Sequence, residues 1–208
     1  MDHGDTHRIT DTAALEALYG TPSEASLIKE VGTLHPHYAA FVRASPFAIL
    51  ATVGPDGVDV SPRGDGPGFI AIENDTTLLL PDRRGNNRTD SLRNIIADPR
   101  VALLFLVPGV GETLRVNGRG SITVDPKLLE RFSVDGKPPR SVLDIRIGSV
   151  FFQCSRAVVR GELWSQEKHL RRSALPSTGT ILADLSRARF DGEAYDRGLD
   201  ARVLATLY

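Results

Sequence analysis

V-D-V-S-P-R-G-D-G (58–66), L-L-L-P-D-R-R-G-N-N-R-T-D-S-L-R-N-I-I-A-D-P-R-V-A-L-L-F (78–105) and E-T-L-R-V-N-G-R-G-S-I-T (112–123) are the stretches that decide the fold. Apolar strands alternate here with short polar segments in which arginine, asparagine, serine and threonine recur beside glycine. Strands supply rigidity, and arginines at their ends supply charge-assisted donors for an anion. Just upstream, F-A-I-L-A-T-V (47–53), the turn G-P-D-G and V-D-V-S (58–61) read as a hairpin. F-I-A-I-E (69–73) and T-L-L-L (77–80) read as a second, turning around Asn74-Asp75. V-A-L-L-F-L-V (101–107) is almost continuously apolar, as a central strand is. The segment 113–124 alternates and carries a glycine pair suited to a bend. Residues 141–154 form a last long strand or pair of strands.

Helical signals surround these strands. Asp11 or Thr12 can cap a helix with Leu15, Leu18 and Tyr19 on one face. Pro22-Ser23 restarts a short helix through Leu27, Ile28 and Val31, and Pro36 opens another with Phe41 and Val42 inward, closed by Pro46. Asn87 to Asp98 reads as a helix with Leu92, Ile95 and Ile96 on one face and Pro99 past its end. Asp125-Pro126 has the cap and proline of a helix start, and the region from Ser173 to Tyr208 is helical again. The stretches 132–140 and 173–180 read as surface loops. The sum is an α+β chain, mainly β: a small antiparallel barrel of six or more strands with helical decoration.

A chain of 208 residues fits one domain with appendages. A formal net charge of -1 argues against a duplex-binding protein. Lysine occurs only at Lys29, Lys127, Lys137 and Lys168, so most of the 25 basic residues are arginine, the better bidentate grip on phosphate. The single Cys154 cannot form an intrachain disulfide, and a buried thiol is its expected state. The N-terminus lacks the apolar core of a signal peptide, and no apolar run is long enough to span a bilayer. A cytoplasmic protein with neither membrane nor nucleic-acid partners is the expectation.

Gly85-Asn86-Asn87-Arg88-Thr89-Asp90 runs into the expected helix, whose N-terminus offers free N–H groups and partial positive charge to a phosphate. Arg88, with Asn86 or Asn87, would add donors there, and Arg63 beyond Ser61-Pro62 could grip the same anion. The competing reading leaves these arginines solvated and Asn87 as a cap. Neither a G-x-G-x-x-G fingerprint nor a P-loop is present, and Gly64-Asp65-Gly66 precedes no helix. Asp56 is turn chemistry, whereas Asp65 could face a ligand. His35 and His37 stand two apart and so share no helix face, which suits surface or capping roles better than a metal pair. His3 and His7 sit in the polar N-terminus. No nucleophile-plus-base constellation is legible, so any redox chemistry would belong to a cofactor.

A-T-V-G-P-D-G-V-D-V-S-P-R (51–63), L-L-P-D-R-R-G-N-N-R (79–88), D-P-R-V-A-L-L-F (98–105) and L-R-V-N-G-R-G (114–120) occur here in that order. With them the chain resembles the pyridoxamine 5'-phosphate oxidase-like superfamily of FMN-binding split barrels. G-E-T-L-R-V-N-G-R is similar to a bacterial subgroup of FMN-dependent flavoproteins without assigned substrates. The resemblance implies a six-stranded antiparallel split β-barrel at 41–165, a helical extension at 1–40 and a helical tail at 166–208. It further implies a homodimer with FMN at the subunit interface and an oxidoreductase passing electrons from a reduced donor to a small acceptor. A non-catalytic flavin or haem binder is the alternative. By the same resemblance Arg63 and Arg88 meet the FMN phosphate, flanked by Ser61, Gly64, Asp65 and Asn87. Pro81, Asp82 and Arg83 meet the flavin ring, with Thr113 and Arg115 near it. Trp164 is either a ring-side aromatic supplied across the dimer or core packing. Pyridoxamine phosphate as substrate is not implied, because Arg63 is followed by G-D-G-P-G without the lysine of the founding oxidase's R-x-V-L-L-K.

Overall fold

The computed structural model describes residues 7–208, so His3 lies outside the described residues. Its centre is one antiparallel sheet of seven strands: β1 (Phe47–Gly54), β2 (Gly57–Gly64), β3 (Ala71–Asn74), β4 (Thr77–Asp82), β5 (Arg100–Leu106), β6 (Thr113–Thr123) and β7 (Ser141–Gln153). The order across the sheet is β2-β1-β5-β6-β7-β4-β3. The mainly antiparallel sheet with helices agrees with the α+β expectation, but seven strands in an open order replace the six of the expected split barrel. The hairpin strand β3 is distinct from β4, and β2 and β3 end the sheet without pairing with each other.

Local chemistry sets most of the strand ends. Gly54 faces Gly57 across the Pro55-Asp56 turn, and Gly57 takes φ 124°, which only glycine adopts readily. The second hairpin pairs Asn74 with Thr77, and the Asn74 side chain accepts from the Thr76 backbone N–H at 2.9 Å. The glycine pair in β6 marks a register shift between Asn117 and Gly118, a bulge that bends the sheet. A Cβ on Gly118 would collide with the Arg146 carbonyl oxygen across the β6–β7 ladder. Residues 141–153 form a single strand.

Nine α-helices decorate the sheet among the described residues: α1 (Thr12–Tyr19), α2 (Glu24–Ile28), α3 (Pro36–Ala44), α4 (Asp90–Ala97), α5 (Pro126–Arg131), α6 (Arg156–Arg160), α7 (Thr178–Leu185), α8 (Gly192–Arg197) and α9 (Leu199–Ala205). The local start signals hold: Asp11 caps α1, Asp125 caps α5 ahead of Pro126, and Pro36 opens α3. His35 is the α3 cap, its Nδ1 accepting from the His37 N–H at 3.2 Å. No described helix is long and apolar enough to cross a membrane.

The core lies between the concave sheet and α3 and α4. Leu50, Ile70, Leu78, Leu80, Leu103, Phe105, Leu114, Leu143 and Ile145 are all nearly inaccessible, with Val42 from α3 and Ile95 from α4 closing it. The outer helices behave differently. Leu15, Leu18 and Tyr19 do share a face of α1, yet all three are exposed, as are Leu27 and Ile28 in α2. Ile96, expected beside Ile95, is 78% exposed: α4 meets β1, β2 and β6 through the side that carries Ile95, and Ile96 falls outside it. Cys154 is also exposed, which corrects the expected buried thiol; it stands just past the end of β7, where the chain leaves the sheet.

Candidate functional site

Strands β2 and β4 carry the site. In the sheet order four strands lie between them, but the curled sheet brings Arg63 Nη1 to 3.9 Å from Asp82 Oδ1. Arg63 reaches inward because strand alternation places Asp59, Ser61 and Arg63 on the half-buried side of β2. Its Nε is buried and has no hydrogen-bond partner.

Beside this pair, α4 rests on the β1–β2 hairpin. Asn94 donates to Thr52 Oγ1 at 3.1 Å, and Ser91 lies 3.4 Å from Asp59 Oδ2. The helix starts at Asp90, three residues later than the sequence suggested, because Asn87 (φ 61°) and Thr89 (φ 59°) take left-handed backbone conformations. The 85–89 segment is therefore a shaped loop rather than a first helical turn. The acidic Asp90 sits in the true first turn, where it complements the helix dipole.

Between β2, the end of β4 and this loop is a cavity of about 310 Å³. Arg63, Arg83, Arg84, Arg88 and Arg140 line it, against the carboxylates Asp59, Asp82 and Asp90. Of the residues expected at the site it gathers Ser61, Arg63, Asp82, Arg83, Asn87 and Arg88, with Asn86. Arg88 is solvated: its side chain is 75% exposed, and Nε donates to Asp90 Oδ2 at 2.7 Å. Burial pushes the Asp82 carboxyl above its usual range, and Arg63 and Arg140 oppose that rise without cancelling it. A desolvated acid beside two guanidinium groups leaves part of their charge for another anion.

Two residues of this wall escaped the sequence reading. Arg84 stood in the same R-R-G-N-N-R run as Arg83 and Arg88, so its signal was available. Arg140 follows Pro138-Pro139 in a loop with no local mark of function, and only folding brings its Nη1 to Asn87 Oδ1 at 3.0 Å.

The other expected residues lie elsewhere. Pro81 is buried in β4 opposite Val142, and Gly64 ends β2 outside this cavity. Asp65 is engaged internally: Oδ2 accepts from Arg83 Nε at 2.9 Å, and Oδ1 accepts from the Gly66 N–H at 2.8 Å and the Tyr208 hydroxyl at 2.6 Å. Burial raises its pKa, but these hydrogen bonds and the Arg83 charge outweigh that and hold it below the usual carboxylate range. Thr113 and Arg115 belong to β6 and line none of this cavity. Thr113 faces Gln153, and the exposed Arg115 stacks 5.3 Å from the Phe151 ring. Trp164 is half-buried and donates Nε1–H to the Val110 carbonyl at 2.8 Å, tying the segment after α6 to the β5–β6 loop. No group of three or more metal-ligating side chains occurs among the described residues.

The family model for pyridoxamine 5'-phosphate oxidase matches residues 34–154, more than half of the chain. Among solved structures, HupZ from Group A Streptococcus is similar at 16% identity and TM-score 0.47, covering 56% of this chain and 90% of HupZ. A Clostridium acetobutylicum protein related to general stress protein 26, of the pyridoxinephosphate oxidase family, is 13% identical at TM-score 0.45, covering 57% and 86% of the two chains. General stress protein 26 of Bacillus anthracis is 17% identical at TM-score 0.43, with 55% and 88% covered. No curated protein matches the sequence.

Proposed function

The chain belongs to the pyridoxamine 5'-phosphate oxidase family, and from that premise we propose that it is an FMN-binding flavoprotein whose arginine-walled cavity holds the cofactor phosphate. One observation carries the reading: five arginines surround a cavity with three carboxylates, and Arg63 Nε is buried there without a partner. A buried donor left unpaired costs about 1–3 kcal/mol, and a phosphate oxygen at that position would remove the cost.

Arg63 is the principal grip, held in place by β2 and by its pairing with Asp82. Arg140 and Arg84 enclose the anion, Asn87 orients Arg140, and Arg88 closes the solvent side. At about 310 Å³ the cavity is at the small end for a site that encloses a drug-sized ligand, roughly 300–1,000 Å³. It suits the phosphate end of FMN and leaves the ring to be covered by other surface. A second copy of the chain would supply that cover, and Thr113, Arg115 and Trp164, which lie outside the cavity, are proposed to meet the ring there. When bound, flavin supplies hydride and single-electron transfer. The residues here bind, orient and neutralise. Electron transfer from a reduced nicotinamide or similar donor to a small acceptor is the activity proposed.

The test is the absorption spectrum of the purified protein, followed by mass determination of any released cofactor. A yellow protein releasing FMN supports the reading; a colourless protein that takes up no added FMN removes it. Rapid-mixing reduction by NADH and NADPH then separates an oxidoreductase from a flavin protein that only binds.

A further inference from the structure

The C-terminal helices reach the sheet through Tyr208. Its hydroxyl donates to Asp65, its ring lies 5.5 Å from the Arg83 guanidinium carbon, and Asp65 in turn holds Arg83 Nε. Arg83 Nη1 donates to the Phe132 carbonyl at 2.6 Å. The loop after β2, the end of α5 and the segment beyond α9 thus converge on one guanidinium. A planar fork fixed at Nε and at Nη1 by two different acceptors has a single orientation.

Arg83 stands where three cavities adjoin. It lines the arginine-walled cavity, a second of about 280 Å³ with Lys137 and Arg140, and a third of about 490 Å³ beneath Val203 and Leu207. Tyr208 forms part of the second and third. The helix leading to it, α9, packs on α8, and Tyr208 engages the anion-binding wall by a hydrogen bond while Val203, Thr206 and Leu207 line the third cavity beside Arg83.

We propose that Tyr208 is a positioning residue of the anion site, fixing the Arg83 guanidinium through Asp65 so that the C-terminal helices complete a site otherwise built by the sheet. The inference rests on the reading of the arginine-walled cavity as a phosphate site. An arginine already held in its binding orientation loses less side-chain freedom when the anion arrives, and the Tyr208 face supports the cation from one side. Without the phenol O–H, Asp65 loses one of its donors, and its hold on Arg83 Nε slackens while the Phe132 contact remains.

Tyr208→Phe keeps the ring and removes only the donor; Asp65→Asn and the double variant complete the set. Calorimetry with inorganic pyrophosphate and with FMN, on the full chain at pH 7, reads the site. Tyr208→Phe weakens both ligands about five- to tenfold, the factor carried by one hydrogen bond of about 1–1.4 kcal/mol. The double variant is no weaker than Asp65→Asn alone, because Tyr208 acts through Asp65. In Tyr208→Phe the Asp65 carboxyl, followed by carbon-detected NMR, titrates at higher pH than in the wild type, a change that loss of helix packing alone would not produce. Unchanged affinity in Tyr208→Phe, additive losses in the double variant, or an unmoved Asp65 titration would each overturn the proposal. A wild-type protein that binds pyrophosphate but not FMN removes the flavin reading and leaves the pyrophosphate series to decide this one. Binding of neither ligand removes both.

Discussion

Arg63 and Asp82 form an ion pair, Nη1 to Oδ1 at 3.9 Å, across the gap between two strands that share no backbone hydrogen bonds. The rest of the sheet is joined edge to edge, so this contact bridges β2 and β4 by side chains where the ladder does not. Both side chains are mostly buried, at 23% and 18% exposure, and water screens them only in part. The pair is therefore both a link in the fold and the rim of the arginine cavity.

Arg63 and Arg88 should differ sharply in their hold on FMN. Arg63→Ala should weaken FMN binding by about 1.5–3 kcal/mol, the range for a hydrogen bond to a charged group. Arg88→Ala should cost less than about 1 kcal/mol, because its side chain is solvated and already pairs with Asp90. Fluorescence quenching of FMN by the two variants measures both, and equal losses would contradict the geometry.

Anion affinity should rise as pH falls through the Asp82 titration. Its carboxyl titrates above the usual range because of burial, so protonation takes place under milder acid than for an exposed aspartate. The neutral acid releases Arg63 and Arg140 for the ligand. A raised acid also favours the folded state below its folded pKa, and that contribution is lost as pH rises from the ordinary carboxylate value through the raised one. Sulfate, whose charge is constant over this range, is the suitable probe. Its affinity should increase on acidification in the wild type, whereas Asp82→Asn should bind it more tightly at pH 7 and with a flat profile.

Asp98 should titrate at about 2. The Arg100 side chain grips it with three hydrogen bonds of 2.5–3.0 Å, and the Arg100 backbone N–H adds a fourth at 3.0 Å. A lowered acid contributes to stability above its ordinary pKa, and the contribution fades as pH falls from about 4 towards 2. In Arg100→Ala the NMR-detected titration should return towards the ordinary carboxylate value.

Gly118→Ala should lower stability by about 1–3 kcal/mol, as overpacking does in a well-packed ladder. The added methyl would press on the Arg146 carbonyl oxygen, and the β6–β7 pairing would have to open around the bulge. Chemical denaturation of the variant measures the loss. Gly57→Ala, by contrast, meets no neighbouring atom, and its cost comes from a φ of 124° alone.

What could be read in the sequence was what short-range chemistry determines. The Pro55-Asp56 turn, the Asp125 cap before Pro126, the β6 bend and the cap role of His35 each depend on residues within three or four positions. Helical periodicity placed Leu15, Leu18 and Tyr19 on one face, but periodicity cannot say whether anything covers that face. At the site, Arg63 and Asp82 were both named, yet their pairing required the curl of the whole sheet. Arg140 and Tyr208 arrive from 53 and 143 positions away from their partners Asn87 and Asp65, and no local pattern encodes such a meeting.

The left-handed residues Asn87 and Thr89 give the cavity loop an unusual history. Threonine is branched at Cβ and enters this backbone region reluctantly, and the hydrogen bond from Arg140 to Asn87 helps to hold the loop in that shape. The mould is cast before anything is poured into it. Ligand capture should then be a single-step encounter, with one concentration-dependent phase in rapid mixing and no slow ordering phase behind it.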